Sequence, residues 1–88
     1  MRTAEAIADL RALLEAGQFF TPQTRRLAIR VTADIADTNL SANLHKQLSE
    51  AFEAAYIERQ LHGAPHHYQR AALDALDEIT YLTALHPR

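Results

Sequence analysis

The sequence contains no cysteine and no tryptophan, and its 88 residues include only two glycines and three prolines. Without cysteine, the protein has no disulfide framework, no thiol chemistry and no cysteine-based zinc site. Two glycines, at positions 17 and 63, are too few for a glycine-rich phosphate loop. Valine and isoleucine together number six, whereas alanine and leucine number 17 and 12, so the composition favours helices over strands.

Long apolar runs are absent as well. Glu5, Asp9 and Arg11 interrupt the N-terminal segment, which therefore does not have the pattern of a secretory signal. No run approaches the roughly 20 apolar residues that cross a bilayer. Nine basic and eleven acidic residues give a net charge of -2, which neither requires nor excludes a nucleic-acid partner. We expect a cytoplasmic protein that does not enter a membrane.

Four segments of the sequence repeat apolar residues at helical spacing. Capping residues and helix breakers mark their boundaries: Thr3, Gly17, Thr21, Pro22, Gly63 and Pro65. The sequence predicts an all-α, compact bundle of about four helices within a single domain that spans residues 1–88. The predicted helices cover approximately residues 3–17, 22–37, 40–62 and 65–85.

The boundary between the second and third helices has the weakest signal. The stretch DTN at 37–39 contains no proline or glycine, only residues whose short polar side chains compete with the helical backbone. One continuous helix over 22–62 is the alternative. Its 41 residues, at about 1.5 Å each, would extend about 60 Å, beyond the usual range in globular proteins. We therefore expect a turn near residues 37–41.

The predicted helices carry more apolar residues than a small bundle needs, which is about three in seven. In the third helix, Ile57 and Leu61 lie away from the main stripe of Leu40, Leu44 and Leu48. The predicted core stripe of the fourth helix comprises Tyr68, Ala72, Ala75, Leu76, Ile79 and Leu82. The surplus predicts a partner or dimer interface, to which we assign Ile57, Leu61, Leu73, Tyr81, Leu85, Phe19 and Phe20, with Ile29 as a further candidate. Alternatively, these surplus apolar residues lie at the edges of the bundle or cover its loops.

Three of the five histidines lie in the segment HGAPHH at 62–67. Gly63 and Pro65 break the helix between these histidines, which removes the i,i+4 geometry of a helical metal site. The chain contains neither HExxH nor the Glu-x-x-His pair of di-iron bundles. We interpret the segment as a helix boundary and predict no metal site.

The residues that carry catalysis in other proteins are present here without the surroundings that activate them. Carboxylates in DALDE at 74–78 and EAFE at 50–53 fall on polar helix faces, where nothing predicts enclosure. Ser41 and Ser49 lie near His45 in sequence, but no strained turn would expose a nucleophile. We predict no catalytic residues, no cofactor and no enzymatic activity.

Basic residues cluster at the predicted second helix. Arg25, Arg26 and Arg30 lie in a stretch that has no acidic residue between Glu15 and Asp34. They lie near the N-terminus of the helix, where the helix dipole favours anions, so the local electrostatics disfavour three cations there. Their position indicates a contact with phosphate, with an acidic partner, or with the acidic face of the fourth helix in the same molecule.

The second and third predicted helices, joined by DTNLS at 37–41, also allow a helix-turn-helix in which the segment ANLHKQ at 42–47 reads base edges. Against this interpretation, the turn lacks glycine and Lys46 is the only lysine. The residues assigned to anion or nucleic-acid contact in this alternative are Arg25, Arg26, Arg30, Asn43, Lys46 and Gln47.

The sequence thus favours a small, non-enzymatic protein–protein interaction module, of adaptor or inhibitor type, that binds a protein partner and self-associates. In the predicted homodimer, the ridge of Ile57 and Leu61 meets the ridge of Tyr81 and Leu85 across a two-fold axis. A helix-turn-helix-like DNA-binding regulator that uses the second and third helices is the alternative.

Overall fold

A computed structural model describes residues 2–62 and 67–85, with all side chains in these ranges except those of Arg59, His62, Ala84 and Leu85. It contains four helices: α1 (Thr3–Glu15), α2 (Pro22–Ala33), α3 (Thr38–His62) and α4 (His67–Leu85). The described residues form no strand, and the predicted all-α bundle is confirmed. The predicted helix stop at Gly63 and start at Pro65 lie outside the described residues.

The end of α1 is set by glycine. Gly17 has a φ of 79°, in the left-handed region where a β-carbon is unfavourable. Its N–H donates to the Leu14 carbonyl at 3.1 Å, and the next N–H, of Gln18, donates to the Leu13 carbonyl at 2.9 Å. These two bonds form a Schellman cap. The predicted stop at Gly17 is confirmed, although α1 itself ends at Glu15 rather than at residue 17.

The start of α2 follows the prediction, whereas the start of α1 does not. The Thr21 hydroxyl accepts a hydrogen bond from the Thr24 N–H at 3.0 Å, and Pro22 occupies the first helical position. Thr3 does not cap α1, because the helix already includes it and Arg2 takes the N-cap position. The Thr3 hydroxyl instead donates to the Asp34 carboxylate, which ties the start of α1 to the end of α2.

The break between α2 and α3 falls earlier than predicted. α2 ends at Ala33 and α3 begins at Thr38, so the connection covers residues 34–37 rather than 37–41. Asp37 explains the difference, because its carboxylate accepts a hydrogen bond from the Leu40 N–H at 3.1 Å and so caps α3. The alternative of one continuous helix over 22–62 is wrong.

Successive helices pack against each other, and α4 returns to pack against α1. Hydrogen bonds between α1 and α4 show how these two helices run. The Gln69 side chain, in the first turn of α4, donates to the Leu14 carbonyl at 2.7 Å, and Arg11 pairs with Asp77 further along α4. α1 and α4 are therefore antiparallel, as expected for an up-and-down four-helix bundle.

Among the residues that the structure describes, the buried apolar side chains form one cluster, to which all four helices contribute. The predicted stripe of α3 is confirmed for Leu44 and Leu48, which are almost fully buried, while Leu40 is partly buried against the cluster. Tyr68 is 43% exposed, so its assignment to the core is wrong. The ring lies beside Ala54 and Ala71 in the hollow between α3 and α4 instead. None of the described helices is both long and apolar enough to cross a membrane.

Candidate functional site

Large apolar side chains remain exposed at several places on the described surface, and four of them converge. Phe20, Ile29, Tyr56 and Ile57 are 41–60% exposed and line one open groove between α2 and α3. The groove has a volume of about 650 Å³. Its lining, which defines the α2–α3 groove, comprises Phe19, Phe20, Arg25, Ala28, Ile29, His45, Ser49, Phe52, Glu53, Tyr56 and Ile57.

Core residues make the floor of the α2–α3 groove. Phe19, Ala28 and Phe52 are each less than 5% exposed and belong to the buried cluster. At one end, the rings of Phe20 and Tyr56 meet edge to face, with centroids 4.9 Å apart and planes at 73°. This geometry is favourable for aromatic pairs and holds the loop before α2 against α3. The apolar lining is therefore anchored to the bundle.

A second hollow, of about 430 Å³, continues the groove toward the turn between α2 and α3. The two hollows share Ile29 and His45. At the far end, the Ser41 hydroxyl donates to the Thr32 carbonyl at 2.7 Å and joins the two helices. Together the hollows follow α3 over residues 38–57, a length of about 28 Å at about 1.5 Å per residue.

The two edges of the α2–α3 groove differ in charge. On the α2 side, Arg25 and Arg26 are exposed, and neither forms an ion pair with a described residue. Arg30 differs from them, because it bonds the Asp34 carboxylate at 3.1 Å. On the α3 side, the polar lining comprises His45, Ser49 and Glu53. The α2 edge is therefore cationic, whereas the α3 edge carries a carboxylate.

The residues that the sequence assigned to an interface do not form one continuous patch. Phe20 and Ile57 line the groove, and Leu61, 72% exposed, lies one turn beyond Ile57 on α3. Phe19 is buried in the floor, and Leu73 is partly buried against the core. Tyr81 is exposed on α4, away from the groove, and the side chain of Leu85 lies outside the described part of the chain.

Sequence reasoning missed Tyr56 as a member of the site. Tyr56 follows Phe52 by one turn, so it continues the apolar side of α3 toward α2. Helical spacing from Phe52 was therefore an available signal. Helical spacing does not predict the position of Phe20, whose ring packs against Tyr56 at the end of the groove.

The residues assigned to nucleic-acid contact lie on an antiparallel hairpin. Asn43, Lys46 and Gln47 are exposed on α3, and Lys46 lies 3.9 Å from Glu50. The Phe20 contact with α3 at one end and the Ser41 bond at the other show that α2 and α3 lie side by side. Helix-turn-helix motifs cross their helices at about 90–120°. This arrangement does not favour the helix-turn-helix alternative.

Chemically reactive side chains are dispersed over the described surface. Asp74 lies 3.6 Å from Arg70, and Asp77 pairs with Arg11, so two of the three acidic residues of α4 have basic neighbours. Within residues 2–62 and 67–85, no three histidine, aspartate or glutamate side chains lie close enough together to hold a metal ion. Most of the segment HGAPHH lies outside these ranges.

Comparison of the chain with protein-family models, with curated proteins and with solved structures found no match. The groove and its edges are therefore the basis for a functional proposal.

A buried hydroxyl positions the loop that carries Phe20. Thr24, fully buried, donates to the Gln18 carbonyl at 2.7 Å and contacts the Thr21 hydroxyl at 2.7 Å. Thr24→Val keeps the shape and removes the donor, so we expect the free energy of unfolding to fall by about 1–2 kcal/mol. Urea unfolding measures the change. Thr80→Val, at an exposed site in α4, is the control and should change stability by less than about 0.5 kcal/mol; equal effects would contradict the role of Thr24.

Proposed function

We propose that the protein is a non-enzymatic protein–protein interaction module, of adaptor or inhibitor type, whose docking surface is the α2–α3 groove. One observation carries this proposal: Phe20, Ile29, Tyr56 and Ile57 come from three separate parts of the chain and converge on one concave surface. Single exposed apolar residues are ordinary in soluble proteins, whereas contiguous apolar patches mark interaction sites. The groove is also built on two packed helices, which provide a rigid platform.

The expected affinity follows from the area that a partner would cover. Complete burial of a large apolar side chain contributes about 1.5–3 kcal/mol, so four half-exposed side chains contribute about 4 kcal/mol. Apolar residues of the partner, buried against them, contribute a similar amount. After the loss of rotational and translational freedom, this total corresponds to micromolar rather than nanomolar binding. We therefore expect a reversible complex.

Site-specific crosslinking in the native cell tests the proposal. A photoreactive amino acid at Ser49, which lines the groove, is compared with one at Ala12, which is exposed on α1. We expect a discrete protein adduct from position 49 and none from position 12. Adding Ile29→Asp should remove the adduct, because the carboxylate enters the apolar lining. No adduct from position 49, or equal adducts from both positions, would contradict groove docking.

Self-association through the ridges of Ile57–Leu61 and Tyr81–Leu85 is the second form of the proposal. Leu61 and Tyr81 are 72% and 64% exposed, which supports it. Both lie late in their helices, and the up-and-down order makes α3 and α4 antiparallel. The two ridges therefore lie toward opposite ends of the pair. A two-fold dimer would have to place the α3–α4 pairs of its subunits antiparallel to each other.

Sedimentation equilibrium tests this dimer. The hollow between α3 and α4 is lined by Glu50, Asp74 and Glu78, so two copies that paired over this hollow would bring like charges together. A dimer on this face should consequently become stronger as salt rises and screens the carboxylates. We predict that Leu61→Asp lowers the average mass at high micromolar concentration, while Thr80→Asp, also exposed, leaves it unchanged. A wild-type chain that is monomeric at every salt concentration would rule out the dimer.

A further inference from the structure

We propose that the α2–α3 groove binds an amphipathic helix of a different protein, with an acidic flank that faces α2. This inference rests on the proposed function and specifies its partner. The groove and the second hollow together follow α3 for about 28 Å, bordered on the other side by the loop before α2, by α2 and by the turn after it, and this length matches a helix of about 18 residues. Helices that bind in such grooves insert apolar anchors at positions i, i+3 or i+4 and i+7.

The shape of the groove disfavours a second copy as the occupant. A two-fold contact places the same patch on both sides of the interface. Two copies of the α2–α3 groove would then face each other, concave against concave, and leave the space between them unfilled. The exposed ridge at Tyr81 lies on a different face, on α4, and its insertion into the groove of a neighbour would give an open chain of molecules rather than a closed dimer.

The charge of the partner follows from the α2 edge. Arg25 lines the groove, and Arg26 is exposed next to it in sequence. No carboxylate occurs between residues 15 and 34, and no described acidic side chain pairs with either arginine. On the opposite edge, Glu53 makes no ion pair with Arg25. Rim charges of this kind select partners of opposite sign and accelerate their association.

The two edges together also determine which flank of the bound helix carries the acidic residues. An acidic flank on the α2 side meets Arg25, beside which Arg26 is exposed, whereas an acidic flank on the α3 side would meet Glu53. The bound helix should therefore carry Asp or Glu along one flank of its apolar face and neutral or basic residues along the other. This pattern distinguishes specific docking from a general preference for acidic peptides.

A displayed library of helical peptides of about 18 residues supplies the probe. Its apolar positions and both flanks are randomised, and binders are selected on the wild-type protein. Those that fail to bind the Ile29→Asp variant are groove binders. The strongest is then synthesised in three forms whose α2-facing flank carries Asp, Ser or Lys, and fluorescence anisotropy measures the affinity of each.

We expect the Asp form to bind about tenfold more tightly than the Lys form at low salt, with a smaller difference at high salt. The double variant Arg25→Glu/Arg26→Glu should reverse the preference. Arg70→Glu, which makes the same type of substitution at an exposed arginine on α4, is the control and should leave the preference unchanged. Because all three arginines are on the surface, these variants should keep the fold, which circular dichroism verifies.

The outcomes separate this inference from the proposed function. Groove binders that show no flank preference, or prefer Lys, would overturn the acidic partner and leave groove docking intact. A library without any binder sensitive to Ile29→Asp would overturn both. A labelled DNA duplex forms the third arm: DNA retention that is lost in the Arg25/Arg26 variant, without groove binding of any peptide, would assign the arginines to nucleic acid and overturn the inference.

Discussion

Leu48→Ala is expected to lower the free energy of unfolding by about 3 kcal/mol, because it removes a fully buried side chain and leaves a cavity. Leu48 lies midway along α3, in the stripe that packs into the common core of the bundle. A close-packed interior relaxes only partly around such a deletion, so the loss exceeds that of transferring the side chain to water. Urea unfolding, monitored by circular dichroism, measures the change.

Leu61→Ala provides the matched control, since it makes the same substitution on the same helix. Leu61 is 72% exposed, and its truncation should change the free energy of unfolding by less than about 0.5 kcal/mol. Comparable losses for the two variants would mean that α3 does not present one face to the core and the other to solvent. The packing described here would then be incorrect.

Ile29→Asp is expected to weaken groove docking by more than about 100-fold while leaving the fold intact. Ile29 is 60% exposed and lies where the two hollows of the groove join, so a carboxylate there must be buried unpaired when a partner binds. In the free protein that carboxylate stays in water, and the stability change should remain within about 0.5 kcal/mol. The affinity for a selected helical peptide and the thermal unfolding curve measure the two effects.

Tyr81→Asp is the control for this second prediction. It also places a carboxylate at an exposed apolar position, but on α4 and outside the groove. Docking should be unaffected. If Tyr81→Asp and Ile29→Asp weakened binding equally, the partner would not be localised to the groove. If Ile29→Asp unfolded the protein, the placement of Ile29 on the surface of α2 would be wrong.

Much of the fold follows from local signals in the sequence. Gly17 and the Thr21–Pro22 pair affect only the few residues around them. The end of α1 and the start of α2 can therefore be predicted without knowledge of the tertiary structure. The turn before α3 falls earlier than the sequence predicts, because several polar residues there compete for the capping role and the sequence does not rank them. Tyr68 has helical core spacing, yet packing leaves it 43% exposed beside α3.

The site could be predicted only in part, because it depends on which helix faces pair. Ile29 and Ile57 are far apart in sequence, and only the antiparallel packing of α2 against α3 brings them to one groove. Phe19 and Phe20 are adjacent and equally apolar, but the backbone of the loop turns the first into the core and the second to the surface. Helical periodicity predicts neither the pairing of α2 with α3 nor the different burial of Phe19 and Phe20, because the periodic pattern ends where the loop begins.

The most direct test of groove docking is a map of backbone-amide NMR shifts during titration with the strongest helical peptide selected on the wild-type protein. If the peptide docks in the groove, shifts should be concentrated in the loop at 18–21, along α2 at 25–32 and along α3 at 41–57, with the exposed faces of α1 and α4 unchanged. Shifts centred on the hollow between α3 and α4, or spread evenly over the bundle, would contradict the assignment of the α2–α3 groove as the docking surface.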